Sequence, residues 1–431
     1  MTDRLMIYPQ NFNYFYTKLC SLLHSIKQFC RLGKADLELI KLMLKGYNMY
    51  HFSAPMPYNI EDIDRLLDIN NQVEKSKITS LYACVPRGCE VFTGFEQSRN
   101  FAFDNANWEY WKKLIEHALN KDCDFIYLLN SPRPLDTENS DFSKQLEKLE
   151  LLLTELRKMG VKKLRVASGQ LMSYIGKHYY DFNILASTSL EYKTIWEYQN
   201  FIAFHPEVKQ IVPSHDINKN FKFLSNLITR YPKTEIELMV NEGCLQGCPN
   251  RMLHEYINID RQKMVNDDIC LSGCYATSFC HNVIEKYPIQ SLVIGNLIFP
   301  WEIDVYKKIG IKKFKLVGRD GYDKNFQGYL DAFFMYLKGI DNIKYIENFP
   351  LSSFSHHLQQ VPILKEITIK DYKKYLPDIK HFIKNGHLCA SRCAVECRYC
   401  YRCADKIQKV YEKKMKEKEK MPHFIPACTI T

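Results

Sequence analysis

From about Lys77 onward, short apolar and β-branched runs alternate with stretches whose apolar residues recur at helical spacing. The runs that read as strands are Ile78–Cys84, Asp124–Asn130, Lys163–Ser168, Phe182–Ser187, Lys209–Ser214, Glu235–Asn241, Ser291–Asn296 and Lys313–Arg319. Helical patterns fill most of the gaps, at Trp108–Leu119, Phe142–Met159, Tyr192–Ile202, Asn218–Tyr231, Pro300–Ile309 and Asn325–Leu337. Eight β-α units at this spacing predict an α/β fold of the (β/α)8 TIM-like barrel type. A doubly wound sheet is the alternative, but no Gly-rich dinucleotide loop follows the first strand. Residues 1–45 read as a helical N-terminal extension, and Tyr50–Asn59 as a lead-in strand and loop. The expected division is therefore an extension over 1–45, the barrel over 46–340, and a segment over 341–431. That last segment comprises a connector, a cysteine-rich stretch and a lysine-rich helix.

In such barrels the chemistry sits at the C-terminal ends of the strands. Those ends carry Asn130, Ser131, Ser168, Gln170, Thr188, Ser189, Ser214, His215, Asp216, Asn241, Glu242, Cys244, Asn296, Gly318 and Arg319. The stretch VNEGCLQGCPNRMLH, Val240 to His254, stands out among them. It leaves a core strand and at once places Cys244 and Cys248 on a Gly-rich loop that Pro249 closes.

Cysteine usage sharpens this picture. The chain has 431 residues and 16 cysteines, and its start, MTDRLMIYPQNFNYF, has no apolar core of a signal peptide. No apolar run reaches the length of a membrane span, so the expected location is cytoplasmic. Thiols in a reducing compartment point to metal ligation before disulfides. The formal charge of +10 permits an anionic or nucleic-acid partner without requiring one, and part of it is the KKMKEKEK run, Lys413 to Lys420, read as a solvated helix face. No recognised nucleic-acid motif accompanies it.

Two cysteine sets carry candidate chemistry. In the first, Cys244 and Cys248 are followed by Cys270 and Cys274, a C-x3-C pair repeated. Four such thiolates can converge on zinc or on an iron–sulfur cluster, and spacing alone does not choose between them. Cys280 could replace one of the four. In the second set, Cys389, Cys393, Cys397, Cys400 and Cys403 fall within GHLCASRCAVECRYCYRCADKI. Its C-x2-C-x2-C end resembles the ligand run of small ferredoxins, with Cys393 or Cys389 as a fourth ligand; a zinc knob that staples the C-terminus is the alternative. CAVECRYC also matches the C-x3-C-x-aromatic-C signature of radical S-adenosylmethionine enzymes. That signature belongs after the first strand of a barrel, and here it follows the last. Isolated cysteines such as Cys20, Cys30 and Cys123 read as buried and inert.

At these residues the chain resembles the peptidase U32 family. The likeness rests on ELMVNEGCLQGCPNRMLH, on the downstream C-x3-C, and on NLIFPWEIDVYKKIGIKKFKLVGRD, and it spans roughly Tyr50 to Cys403. The resemblance implies a barrel carrying a four-cysteine [4Fe-4S] cluster on Cys244, Cys248, Cys270 and Cys274. Some members are described as proteases or collagenases. Others take part in oxygen-independent hydroxylation of ubiquinone precursors, transfer RNA or ribosomal RNA, with prephenate proposed as oxygen donor in some. The chain departs from those hydroxylases in its cysteine spacing and in its second cysteine set.

The leading expectation is thus an iron–sulfur hydroxylase or related redox enzyme acting on a small-molecule, RNA or peptide substrate, with an electron-donor protein and a homo- or heterodimer as expected partners. A second cluster, or zinc, would fill Cys393, Cys397, Cys400 and Cys403. Glu242 and His215 are candidate acid and base, and Arg319 a candidate fork for a carboxylate or phosphate. One alternative is a protease or hydrolase. Against it, Ser214, His215 and Asp216 are adjacent in PSHDIN and their side chains diverge, Asp216 reads as a helix N-cap, and no H-E-x-x-H is present. The other alternative is a non-catalytic cluster-bearing partner subunit that docks through the aromatic-rich MIYPQNFNYFYTKLC.

Overall fold

The computed structural model describes residues 49–85, 90–96, 107–132, 140–260, 279–318, 325–359, 361–389 and 396–420. The N-terminal extension, Cys270, Cys274, Cys393 and Arg319 lie outside these residues. Eight parallel strands close into a barrel in chain order: β1 (Tyr50–Pro55), β2 (Ser76–Ala83), β3 (Asp124–Leu129), β4 (Lys163–Val166), β5 (Asn183–Ala186), β6 (Val208–Ile211), β7 (Glu235–Met239) and β8 (Lys313–Lys315). Closure comes from β8 pairing back onto β1, with Phe52 opposite Phe314 and Ser53 opposite Lys315.

The expected barrel is present, but two strands change identity. Tyr50–Pro55 is not a lead-in; it is β1 itself. The SLVIGN run is not a strand, because Pro288–Ile294 forms a helix. Pro288 sits in its first turn, Gly295 follows its end, and Ile289, Leu292 and Val293 bury one face at helical spacing. The count of eight survives, and the strand preceding the Cys244 loop becomes the seventh.

Alternation along β1 explains both faces of the wall. Phe52 stacks on Phe314 at 5.5 Å and meets Tyr336 of the Phe326–Asp341 helix edge-on at 6.1 Å. Ser53 points the other way, into the barrel, and its Oγ donates to Glu237 Oε1 at 2.7 Å. The same carboxylate accepts from Gln210 Nε2 at 2.9 Å and pairs with the Arg165 guanidinium. Strands β1, β4, β6 and β7 thus meet on one fully buried carboxylate.

Asparagine amides stitch the C-terminal rim where regular pairing stops. Asn241 donates to the Val317 carbonyl at 2.9 Å and accepts from its N–H at 2.7 Å, tying the end of β7 to the end of β8. Asn218 Nδ2 bridges the carbonyls of Met239 at 2.8 Å and Asn296 at 3.0 Å. These bonds give the loop after β7 a fixed point of departure.

The C-terminal segment packs on the same unit. Phe354 meets Phe299, Trp301 and Tyr336 edge-on. The Tyr399–Lys420 helix lies against the Pro288–Ile294 helix and buries Cys400, Cys403, Ala404 and Ile407, a stripe at helical spacing. The described part of its lysine run, with Lys413 and Lys414, lies on the exposed side, as expected for a solvated face.

Candidate functional site

The loop after β7 leaves the rim between two anchors. Val240 donates its N–H to the Lys315 carbonyl at 3.1 Å and accepts from Ile298 at 2.9 Å. Glu242 Oε1 then accepts the Cys244 N–H at 3.2 Å, which turns the chain. Gly247 has φ +62°, a left-handed conformation that disfavours a side chain, and its N–H donates to Asp216 Oδ1 at 3.0 Å. Gln246 Nε2 donates to the Asp216 carbonyl at 3.0 Å. The thiols of Cys244 and Cys248 are half-buried on this loop.

Arg251, at the start of the Arg251–Asp260 helix, fastens the loop to the rest of the mouth. Its Nη2 donates to the Leu245 carbonyl at 2.6 Å and to Asp216 Oδ1 at 3.1 Å, and its Nη1 donates to His215 Nδ1 at 2.9 Å. Its Nε stands 3.9 Å from Glu191, which also accepts the Ser214 hydroxyl at 2.7 Å. Lys193 pairs with the other Asp216 oxygen at 2.7 Å. Burial alone would lower the Arg251 pKa, but Cys244 first, then Asp216, Glu191 and Glu242, more than offset it and hold the pKa above the ordinary value. The cation therefore lies within electrostatic reach of the Cys244 thiol.

These contacts assign the His215 ring. A guanidinium only donates, so Nδ1 is the acceptor and the proton of the neutral ring is on Nε2. Burial, followed by the Arg251 charge, pushes the pKa down to about 4. His215 Nε2 is buried and has no hydrogen-bond partner among the described residues. The expected acid–base role narrows accordingly: at neutral pH this ring offers an N–H and does not ionise. Asp216 does not cap a helix. Ser214 caps the turn that follows, and Asn220 caps the Phe221–Arg230 helix. Asp216 instead collects Gly247, Arg251, Lys193 and Asn296, and Arg251 and its other neighbours hold its carboxyl below the ordinary range against the pull of burial.

Cys280 belongs with this group. Burial and then the neighbouring Cys248 raise its pKa, and Glu242 adds to the rise. Cys248 and Glu242 are thus each within electrostatic reach of Cys280. A soft metal suits three thiols at one end of a barrel, with a buried cation beside them to offset thiolate charge. The other two expected ligands, Cys270 and Cys274, and the expected fork Arg319, lie outside the described residues. Among the described residues, no three His, Cys, Asp or Glu donors already stand at metal-binding spacing.

The second cysteine set lies on other elements. Cys400 and Cys403 are buried in the first two turns of the Tyr399–Lys420 helix, and Cys397 precedes it. Cys397 Sγ lies 3.2 Å from Nε2 of His381, a residue the sequence pattern did not single out. Cys389 is half-buried, and its N–H is held by the Gly386 carbonyl at 3.1 Å. Arg251, Glu191 and Lys193 were likewise not anticipated. The nearest signal was Arg251 itself, inside the quoted cysteine loop.

No family model matches the chain, and no curated protein matches it. Solved structures do. A U32 peptidase aligns with a TM-score of 0.39 and 11% identity over 63% of this chain and 93% of its own. The structure of CpGH84B aligns with a TM-score of 0.34 and 12% identity over 85% of this chain and 76% of its own. A GH113 β-1,4-mannanase aligns with a TM-score of 0.28 and 9% identity over 52% and 85%. The barrel assignment rests on the strand pairings above and draws nothing from these scores. Among the described residues no helix is long and apolar enough to cross a membrane.

Proposed function

We propose that the barrel mouth holds a thiolate-ligated iron–sulfur cluster, and that the protein is a redox enzyme of the oxygen-independent hydroxylase kind. The observation that carries this reading is the fastening of the Cys244–Cys248 loop, through Arg251, to His215 and Asp216 at the C-terminal end of the barrel. Cys244, Cys248, Cys270 and Cys274 would hold the cluster, with Cys280 as the thiol that could replace one of them. When bound, such a cluster supplies one-electron transfer.

The chain's own groups have separate tasks in this reading. Arg251 holds the loop in place and sets its positive charge within electrostatic reach of the Cys244 thiol that would ligate the metal. His215 presents its Nε2–H as a fixed donor toward an oxygen or sulfide. Glu242 turns the loop through the Cys244 N–H and is the proton acceptor of the site. The substrate class remains the small-molecule, RNA or peptide set expected above, with electrons from a donor protein.

The hydrolase reading finds no working arrangement among the described residues. Ser214 donates to Glu191 while the His215 ring accepts from Arg251, so serine and histidine are committed to different partners.

Anaerobic purification with iron, sulfide and zinc quantitation, and a paramagnetic resonance spectrum of the reduced protein, tests the proposal. About four irons per chain, lost in Cys244→Ser and Cys248→Ser, is the expected result. Zinc without iron at these cysteines would overturn it.

A further inference from the structure

We propose that the N-terminal face of the barrel, around the starts of β4, β5 and β6, is a docking surface for single-stranded nucleic acid, with Tyr180 and Phe204 as stacking platforms and Lys162, Lys177 and Lys209 as phosphate contacts. This face lies at the opposite end of the strands from the thiols of the mouth. It is therefore a docking surface and not the substrate subsite, and it stands whether or not the mouth holds a cluster.

The local chain brings these side chains together. The Gly169–His178 helix ends through Tyr179, whose N–H reaches the Ile175 carbonyl at 2.7 Å, and the chain turns at once, with Phe182 donating to the Tyr179 carbonyl at 3.1 Å. Tyr180 stands within that turn. The Ile195–Phe204 helix ends in the same way, with His205 donating to the Phe201 carbonyl at 2.9 Å and Val208 to the His205 carbonyl at 3.1 Å. β5 and β6 begin directly after these turns and pair in parallel, so both turns lie at one end of the sheet. The two also touch. Gly176, in the last turn of the first helix, lies against Glu207, where an added Cβ would stand 2.8 Å from Glu207 Cγ. Lys162 joins from the other side, its carbonyl accepting the Asn183 N–H at 2.7 Å where β5 begins. Lys177 is in the last turn of the Gly169–His178 helix, and Lys209 is the exposed second residue of β6.

Two features of this patch point to a partner. The first is the rings. Tyr180 is 88% exposed and Phe204 81%, the two highest values for large hydrophobic side chains among the described residues. The Arg157 guanidinium lies over the neighbouring rings of Tyr179 and Phe182, at 5.3 and 5.8 Å. The second is the charge beside the rings. Asp181 accepts from Arg157 Nε at 2.7 Å, and Glu207 stands 3.1 Å from His205 Nδ1, so each carboxylate has a partner within the chain. Lys162, Lys177 and Lys209 are exposed and enter no ion pair among the described residues. Bare ring faces flanked by such cations suit an unpaired, negatively charged strand, whose bases stack on the rings while its phosphates meet the lysines. A duplex keeps its bases stacked on one another and offers this surface only phosphates. A second copy of the chain fits poorly, because two-fold pairing of one patch with itself brings the same lysines together. A lipid surface fits poorly as well, because the rings stand on separate turns with carboxylates beside them and form no continuous apolar face to bury.

The test uses the full chain and a fluorescently labelled oligouridylate of about 12 nucleotides, read by anisotropy over a salt series. Binding should weaken with salt, and Lys162→Ala, Lys177→Ala and Lys209→Ala should each reduce the slope of log affinity against log salt by about 0.7. Tyr180→Ala and Phe204→Ala should each weaken binding about tenfold. Tyr180→Leu should weaken it as much and Tyr180→Phe should not, which separates stacking from burial of apolar area. All five side chains are exposed, so the urea midpoints should stay at that of the unaltered chain. Cys244→Ser should bind the oligonucleotide as the unaltered chain does, so failure of the cluster reading and failure of this one are distinguishable. No binding at low salt, equal affinity for a duplex of the same length, or affinity unchanged in both Tyr180→Ala and Phe204→Ala would each overturn the proposal. So would binding to phosphatidylserine vesicles, or self-association, that these two variants abolish while oligonucleotide binding persists.

Discussion

Arg251 donates a hydrogen bond to the Nδ1 of His215 at 2.9 Å, which fixes the tautomer of the imidazole, while its other terminal nitrogen holds the cysteine loop through the Leu245 carbonyl at 2.6 Å. Arg251→Ala removes the cation while leaving Asp216 and Glu191 behind in a buried place. Removing one partner of a buried pair costs on the order of 3–5 kcal/mol. Arg251→Lys keeps the charge but loses the fork that reaches His215, Asp216 and the Leu245 carbonyl together. Both variants should lower the urea midpoint, and Arg251→Ala should also lose metal at Cys244 and Cys248. Equal metal content and stability in all three proteins would remove Arg251 from the site.

The His215 ring should show an Nε2-protonated, neutral imidazole by nitrogen-15 resonance from pH 8 down to about pH 5. Its folded pKa of about 4 lies below the ordinary histidine value of 6.5. The stability this contributes is present above pH 6.5 and is lost as pH falls toward 4. His215→Gln should flatten that acid limb. A ring that ionises near pH 6.5 in the folded protein contradicts the assigned contact.

Two carboxyls act in the opposite sense. Burial pushes Glu302 up to about 7, against Lys219 and the Phe299 N–H, which it accepts at 2.9 Å. Burial also pushes Glu96 up to about 7, against the hydroxyls of Tyr127 and Thr93 that donate to it at 2.7 and 2.9 Å. A folded pKa above the unfolded value near 4.5 favours folding fully below pH 4.5, and the benefit is lost as pH rises through 7. Glu302→Gln and Glu96→Gln should each reduce the fall in urea midpoint between pH 5 and pH 8. Unaltered pH curves in both variants would count against neutral carboxyls at these positions.

At the barrel centre, Glu237→Ala leaves Arg165 charged and without its counter-ion in a fully buried place, at a cost of about 3–5 kcal/mol. The double replacement Arg165→Met with Glu237→Leu should recover most of that loss, since it removes both charges together. A denaturation cycle over the two singles and the double reads the coupling. No recovery in the double variant would mean that Gln210 and Ser53, which also bond Glu237, carry the stability.

Much of the barrel was legible because short runs such as EIELM and KLRV alternate polar and apolar residues and so carry their own period. Tyr50–Asn59 reads as a lead-in strand and loop outside the eight, whereas Tyr50–Pro55 is the first barrel strand and Pro55 ends it. The SLVIGN run misled because a continuous apolar stretch fits a buried strand or a buried helix equally well, and Pro288 at the helix start was the signal to weigh. At the site, Cys244 and Cys248 were visible as a spacing. Glu191, Lys193 and Arg251 were not, since the first two come from the loop after β5 and Arg251 from the helix after β7, and they acquire meaning only where the barrel rim brings them together. His381 escaped for the same reason, being sixteen residues from Cys397 and marked by no motif.

The pairing of Phe52 with Phe314 also orders events during synthesis. The first strand made cannot find its second neighbour until the last has left the ribosome, so a nascent chain carries an open, curved sheet for most of its translation. Both exposed edges, β1 at one side and the newest strand at the other, are unpaired over that time and are open to wrong partners. Slow translation just before Lys313 prolongs that exposure, and a chain truncated there has a sheet with no means of closing.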